Sequence, residues 1–134
     1  MTHISQKETF RFQFESPHFF NDNEFKITME GRLRINRLIE AIEQIEPLKL
    51  QLEIECHTNC IPEISGAKSN KWELSALRAS NLAKYFIECG YNPLKIKANG
   101  YADLFPLAPE YDEQEKPLPG NMKKNNRIVM KFYL

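Results

Sequence analysis

Apolar residues fall along this chain with two periods, two and about 3.6, and the switches between them mark the elements. In "ETFRFQFE", Phe10, Phe12 and Phe14 alternate with Arg11 and Gln13, which predicts a strand with one buried face. "SPHFFNDNEF" follows with turn chemistry. From about Thr28 to Ile45, Leu33, Leu38, Ile39, Ile42 and Ile45 recur at helical spacing among Arg and Glu. Pro47 stops this helix, and Gly31 leaves its start open. In "LKLQLEIEC", Leu48, Leu50, Leu52, Ile54 and Cys56 take one face of a second strand. Lys49, Gln51, Glu53 and Glu55 take the other, and His57 continues that polar row.

A loop runs from there to Asn70. "NKWE" places Asn70 as an N-cap with Glu73 three residues on, and the helix behind it extends to about Cys89, where Gly90 suits a left-handed cap. Its apolar stripe reads as Trp72, Ala76, Ala79, Ala83 and Phe86, widened by Leu82. "LKIKANGYA" predicts a third strand ending at Gly100, and "NRIVMKFYL" a fourth. Residues 104–124 between them are rich in Pro and acid and read as one long, mobile loop. The order β-α-β-α-β-β predicts an α/β (α+β) sandwich over 1–134. Two helices would pack on one face of a mixed four-stranded sheet, with 8–47 as an N-terminal strand and helix and 48–134 as the remainder.

Length and charge narrow the classes. A chain of 134 residues supports one core. Its 18 basic and 18 acidic residues balance, and no aromatic-basic stripe is present, so no nucleic acid or anionic membrane is expected as partner. No run is long and apolar enough to span a bilayer, and "MTHISQKE" is no signal peptide, so a complete gene product would be cytosolic.

The chemistry concentrates in "IECHTNCIP". Its Cys-x3-Cys spacing, with Cys56 facing inward, does not suit a structural zinc site, and His3 and His18 are distant in sequence. It is neither a Cys-x-x-Cys pair nor placed at a helix N-terminus, as a redox dithiol would be. Cys60 with His57 has the composition of a nucleophile and base, but no oxyanion hole or third member is legible. No phosphate-cradling glycine loop appears. With three cysteines in the chain, free and mostly buried thiols are expected. No metal, cofactor or catalytic set is expected.

Read together, "IECHTNCIP", "SNKWELSALRASNLAKYFIECG", "NGYADLFP" and "NNRIVMKF" resemble the OmpA-like peptidoglycan-binding domain family. They look most like its stator branch, the periplasmic domains of MotB type. The family shows Gly-His-Thr-Asp-Asn, then Asn-x-x-Leu-Ser-x-x-Arg-Ala, then Gly-Tyr-x-x-x-x-Pro, then Asn-Arg-Arg-Val, and the match spans roughly 48 to 132. The resemblance implies a non-enzymatic cell-wall anchor, a homodimer working with a membrane-embedded motor subunit. It implies a periplasmic location if this chain is part of a membrane-anchored protein. Its ligand would be the diamino acid of the wall's stem peptide, presenting an ammonium and a carboxylate.

Carried over by motif, Arg78 would take the carboxylate through its planar fork. Leu74 and Ser75 share its helix face. Thr58 and Asn59 belong to the ligand loop, Asn70 and Arg127 to the pocket rim, and Asn125 opens the last motif. Asn70 reads equally as a helix cap and Leu74 as core. Asn59 stands where the family has the aspartate that holds the ammonium, so affinity is expected to fall about tenfold, the gap between neutral and charge-assisted hydrogen bonds. Two further readings stay open: a fold kept as a dimerisation or protein-contact module, and the wall-binding part of a stator-like anti-phage defence protein.

Overall fold

Alternating apolar positions become a four-stranded sheet in the order β1-β4-β2-β3, built from β1 (Glu8–Glu15), β2 (Gln51–His57), β3 (Ile96–Gly100) and β4 (Arg127–Tyr133). The structure, a computed structural model, describes residues 8–45, 50–60 and 70–133, without the side chains of Ile45 and Asn70. Leu48, Lys49 and Pro47 of the sequence reading lie outside the described residues. β1 and β2 both run antiparallel to the central β4, and β2 pairs parallel with β3, so the sheet is mixed as expected. Pleating puts Leu52, Ile54 and Cys56 of β2 and Ile128, Met130 and Phe132 of β4 on one face, all essentially sealed from water. Each such large side chain contributes about 1.5–3 kcal/mol over its exposed state.

Helices α1 (Met29–Ile45) and α2 (Asn70–Glu88) cover that face. Thr28 caps α1, its hydroxyl accepting the Gly31 N–H at 3.1 Å. Ile35, Leu38, Ile39 and Ile42 are the large buried α1 residues, whereas Leu33 is 48% exposed, because it lies about 200° round the helix from Ile35. α2 closes in a Schellman motif. Tyr91 N–H reaches Phe86 O, Gly90 N–H reaches Ile87 O, Gly90 takes φ 102°, and the Phe86 and Tyr91 rings meet edge to face.

The α2 stripe differs from the sequence reading. Leu74, Ser75, Arg78, Ala79, Leu82 and Phe86 face inward, while Trp72 and Ala76 are exposed. Two polar residues occupy the buried face because each finds internal partners, and this rotates the stripe away from Trp72. A further departure is α3 (Pro119–Asn125), which lies in the segment read as one long loop. That segment also forms a bridge between Tyr111 and Pro117 and an Asx turn, in which Asp112 Oδ1 accepts the Gln114 and Lys116 amides.

Candidate functional site

The segment Cys56–Cys60 divides between the two faces of the sheet. Cys56 continues the buried apolar row, and burial pushes its thiol up to about 12, which removes it as a nucleophile. Burial likewise raises the Cys60 thiol, outweighing its hydrogen bond with Tyr111. His57 turns to the opposite face, stacking on Tyr101 at 5.3 Å and meeting Phe105 edge-on.

Where β2 ends, three segments are bolted together. Ser75 Oγ accepts the Ala102 N–H at 3.0 Å, Ala102 O accepts the Thr58 N–H at 2.8 Å, and Cys56 O accepts the Tyr101 N–H at 3.0 Å. Ser75 therefore positions the turn after β3, where Ala102 holds φ 51°. Among the described residues, the buried Thr58 hydroxyl has no hydrogen-bond partner. Such an orphan calls for a reason beyond packing.

Arg78 is 3% exposed, and its guanidinium is committed internally. Nε donates to Glu24 O at 2.7 Å, Nη2 to Asn21 O at 3.2 Å and Nη1 to Asn126 Oδ1 at 3.3 Å, and the plane covers the Phe20 ring at 4.9 Å. Asn81, one turn on, donates to Phe25 O at 2.7 Å, so α2 grips residues 21–25 from one side. Burial brings the Arg78 pKa down to about 10, against the pull of Cys56 and Asp22, and the side chain stays charged at neutral pH. Counted from Asn125, the first arginine of the family's last motif falls on Asn126, whose amide oxygen can accept from Arg78 where an arginine could not.

Asn59 does more than stand in for a carboxylate: its Nδ2 donates to Met122 O at 3.1 Å, a bond an aspartate could not make. Cys60 N–H donates to Glu110 Oε1 at 2.9 Å. Asn125, 1% exposed, holds the same segment through Oδ1, which accepts the Leu107 and Ala108 amides, and through Nδ2, which donates to Ala108 O and Glu110 Oε2. Arg127 donates to Asn125 O and Phe105 O. It pairs in register with His57 and Glu15, on the sheet face away from the helices and so away from Arg78. The eight expected residues thus separate by role. Leu74, Ser75, Arg78 and Thr58 are buried near the end of β2, Asn125 and Arg127 hold residues 105–110, and Asn59 ties its segment to Met122 of α3. The Asn70 side chain lies outside the described residues. The family's Asn-x-x-Leu spacing falls on Lys71, whose ammonium pairs with Asp103 at 2.9 Å. Glu110 carried no signal in the sequence, since only the folded loop brings it to Cys60.

On the far face, Glu55 binds Lys131 at 2.6 Å and His57 Nε2 at 3.3 Å. Burial works to raise the Glu55 pKa, but these two partners together hold it low. Burial and then the Arg127 charge lower the pKa of His57, outweighing Glu55, so the ring is neutral and Nε2 carries the proton donated to Glu55. The unfolded chain binds a second ring proton as pH falls through about 6.5, while the folded chain binds it only at lower pH. The contribution of His57 to stability is therefore complete above pH ~6.5 and is lost as pH falls toward the lower folded-state value. We expect the urea midpoint to fall between pH 7 and 5, and His57→Gln to flatten that fall.

The OmpA family pattern matches residues 19–117, most of the chain. The chain belongs to the OmpA family. Within this family it is similar to Motility protein B of Helicobacter pylori strain 26695, 28% identical over 114 residues that make up 85% of this chain and 42% of that protein. The chain thus spans about two fifths of the curated relatives it matches. Its fold matches the periplasmic domain of Helicobacter pylori MotB at a TM-score of 0.75 and 26% identity, covering 98% of this chain and 78% of that one. A putative MotB-like protein from Desulfovibrio vulgaris shares the fold at TM-score 0.77 and 20% identity, covering 95% and 77%. The cell wall anchor of the type VI secretion system (T6SS) from Pseudomonas aeruginosa does so at 0.73 and 17%, covering 92% and 80%. Like these OmpA-type domains, the chain packs its helices on a mixed sheet of four strands. The family match ends at Pro117, so Asn125 and Arg127 lie beyond it.

Proposed function

We propose that this chain is a non-catalytic, periplasmic cell-wall anchor of a MotB-type stator subunit, binding the stem peptide of peptidoglycan through an altered pocket. The observation that carries this reading is the likeness to a MotB periplasmic domain across nearly the whole chain, with Thr58, Ser75 and Arg78 standing at the family's motif positions. The pocket is altered because Asn59 and Asn126 replace a carboxylate and a guanidinium of the family motifs. In such a stator two copies act together, and two weak tethered sites retain a wall that one releases.

The internal commitment of Arg78 favours a second reading, in which the fold serves as a protein-contact module. Thr58→Val separates the two. Valine matches threonine in shape, and removing a buried hydroxyl without a partner leaves stability equal or about 1 kcal/mol higher. Under the anchor reading, co-sedimentation with insoluble peptidoglycan falls severalfold while the melting temperature holds. A native chain that stays in solution, with Thr58→Val indistinguishable from it, rejects the anchor and leaves the contact module.

A further inference from the structure

The anchor reading leaves the ligand's ammonium without the aspartate that the family places at position 59. We infer that Glu110 supplies the missing negative charge and sets the specificity of the pocket for an amine, a deepening that rests on the anchor reading. Glu110 arrives from the segment after β3, and its carboxylate accepts from Cys60 N–H at 2.9 Å and from Asn125 Nδ2 at 3.0 Å. Both donors are neutral, and among the described residues no cation pairs with Glu110. Each oxygen keeps a further lone pair. Asn59, Cys60 and Glu110 are all half-buried, so solvent reaches the group.

The other carboxylates named among the described residues are already used. Asp103 is taken by Lys71 and Glu55 by Lys131, Asp112 closes its own turn, and Asp22 acts on Arg78. Among the described residues, Glu110 is left as the anion beside the ligand loop that no cation pairs. Its placement also suits a ligand with both charges. Asn125 holds Glu110, and the next residue, Asn126, holds Arg78, so the anion and the cation are tied to consecutive residues of one segment. A diamino acid offers an ammonium to the one and a carboxylate to the other. The negative charge of the family motif has moved from the ligand loop to the loop laced against it.

The test is co-sedimentation of the full chain with insoluble peptidoglycan, native or with its free amino groups acetylated, alongside melting curves. We expect native wall to retain the parent chain and Glu110→Gln to lower retention about tenfold. Acetylation should lower retention of the parent to the level of Glu110→Gln and leave that variant unchanged. Adding Asn59→Asp to Glu110→Gln should raise retention again although it removes the bond to Met122 O, so that binding and melting temperature move in opposite directions. Retention of the parent that ignores both acetylation and Glu110→Gln overturns the inference and leaves the anchor standing. A Glu110→Gln loss that persists on acetylated wall, falls with the melting temperature and is not recovered by Asn59→Asp makes Glu110 purely structural. A parent chain that fails to pellet on native wall overturns the anchor itself.

Discussion

Gly100→Ala is expected to destabilise the chain by about 3 kcal/mol or more, in the upper range for overpacking a fixed site. A Cβ at position 100 would stand 2.3 Å from the Ala76 nitrogen, 2.6 Å from Ala76 Cα and 2.6 Å from Ser75 C. These are helix backbone atoms, so no side-chain rotation relieves the contact. α2 would have to lift from the end of β3, and the Ser75–Ala102 bond lies at that crossing. Because Ala102 also receives the Thr58 amide, loss of this crossing loosens the ligand loop as well. Thermal melting checks the effect, with a drop on the order of 10 °C expected for a domain of this size. A drop of only a degree or two would mean that α2 and β3 approach less closely than described here.

The strands were legible because each carries a clean alternation, and one face of the sheet really is sealed by helices. Leu52, Ile54 and Cys56 read correctly for that reason. The α2 stripe read wrongly because hydropathy treats serine and arginine as outward, whereas Ser75 and Arg78 are buried with their polar atoms bonded. Placing Trp72 inside followed from the same assumption. α3 escaped notice because seven residues with Pro at the start and a single buried methionine give no helical period. Asp112 closes its own turn through the Gln114 and Lys116 amides, but Asn125 orders the loop through amides 17 and 18 residues away, and composition does not reveal such bonds.

Motif spacing read which α2 residues share a face better than it read their partners. Leu74, Ser75 and Arg78 do share one face, as residues three and four apart must. The spacing cannot say what a guanidinium meets, and here it meets carbonyls of residues 21 and 24 and the amide of Asn126. Arg78→Ala therefore mixes loss of a clamp with loss of a ligand contact, which is why Thr58 and Glu110 are the cleaner probes. Asn59 shows the same limit. Its type signalled a missing charge, and only the fold shows its amide holding Met122 O.

Asn125→Ala is expected to cost about 3 kcal/mol, because it strands two amides, a carbonyl and a carboxylate oxygen that the side chain satisfies at 2.7–3.1 Å. Asn125→Asp refines the point. An aspartate still accepts from the Leu107 and Ala108 amides, but it cannot donate, and its second oxygen is set against Glu110 where Nδ2 had stood at 3.0 Å. Two carboxylates so close raise each other's affinity for a proton. A folded-state pKa above the unfolded one favours folding below the unfolded value, and the benefit is lost as pH rises through the folded value. The Asn125→Asp variant should therefore be weakest at pH 7 and close part of its gap to the parent by pH 5, over a range in which the parent itself loses stability through His57. Asn125→Ala, with no new charge, should keep a constant gap. Urea midpoints at the two pH values distinguish these outcomes, and equal gaps for both variants would mean that Asn125 does not hold Glu110 in solution.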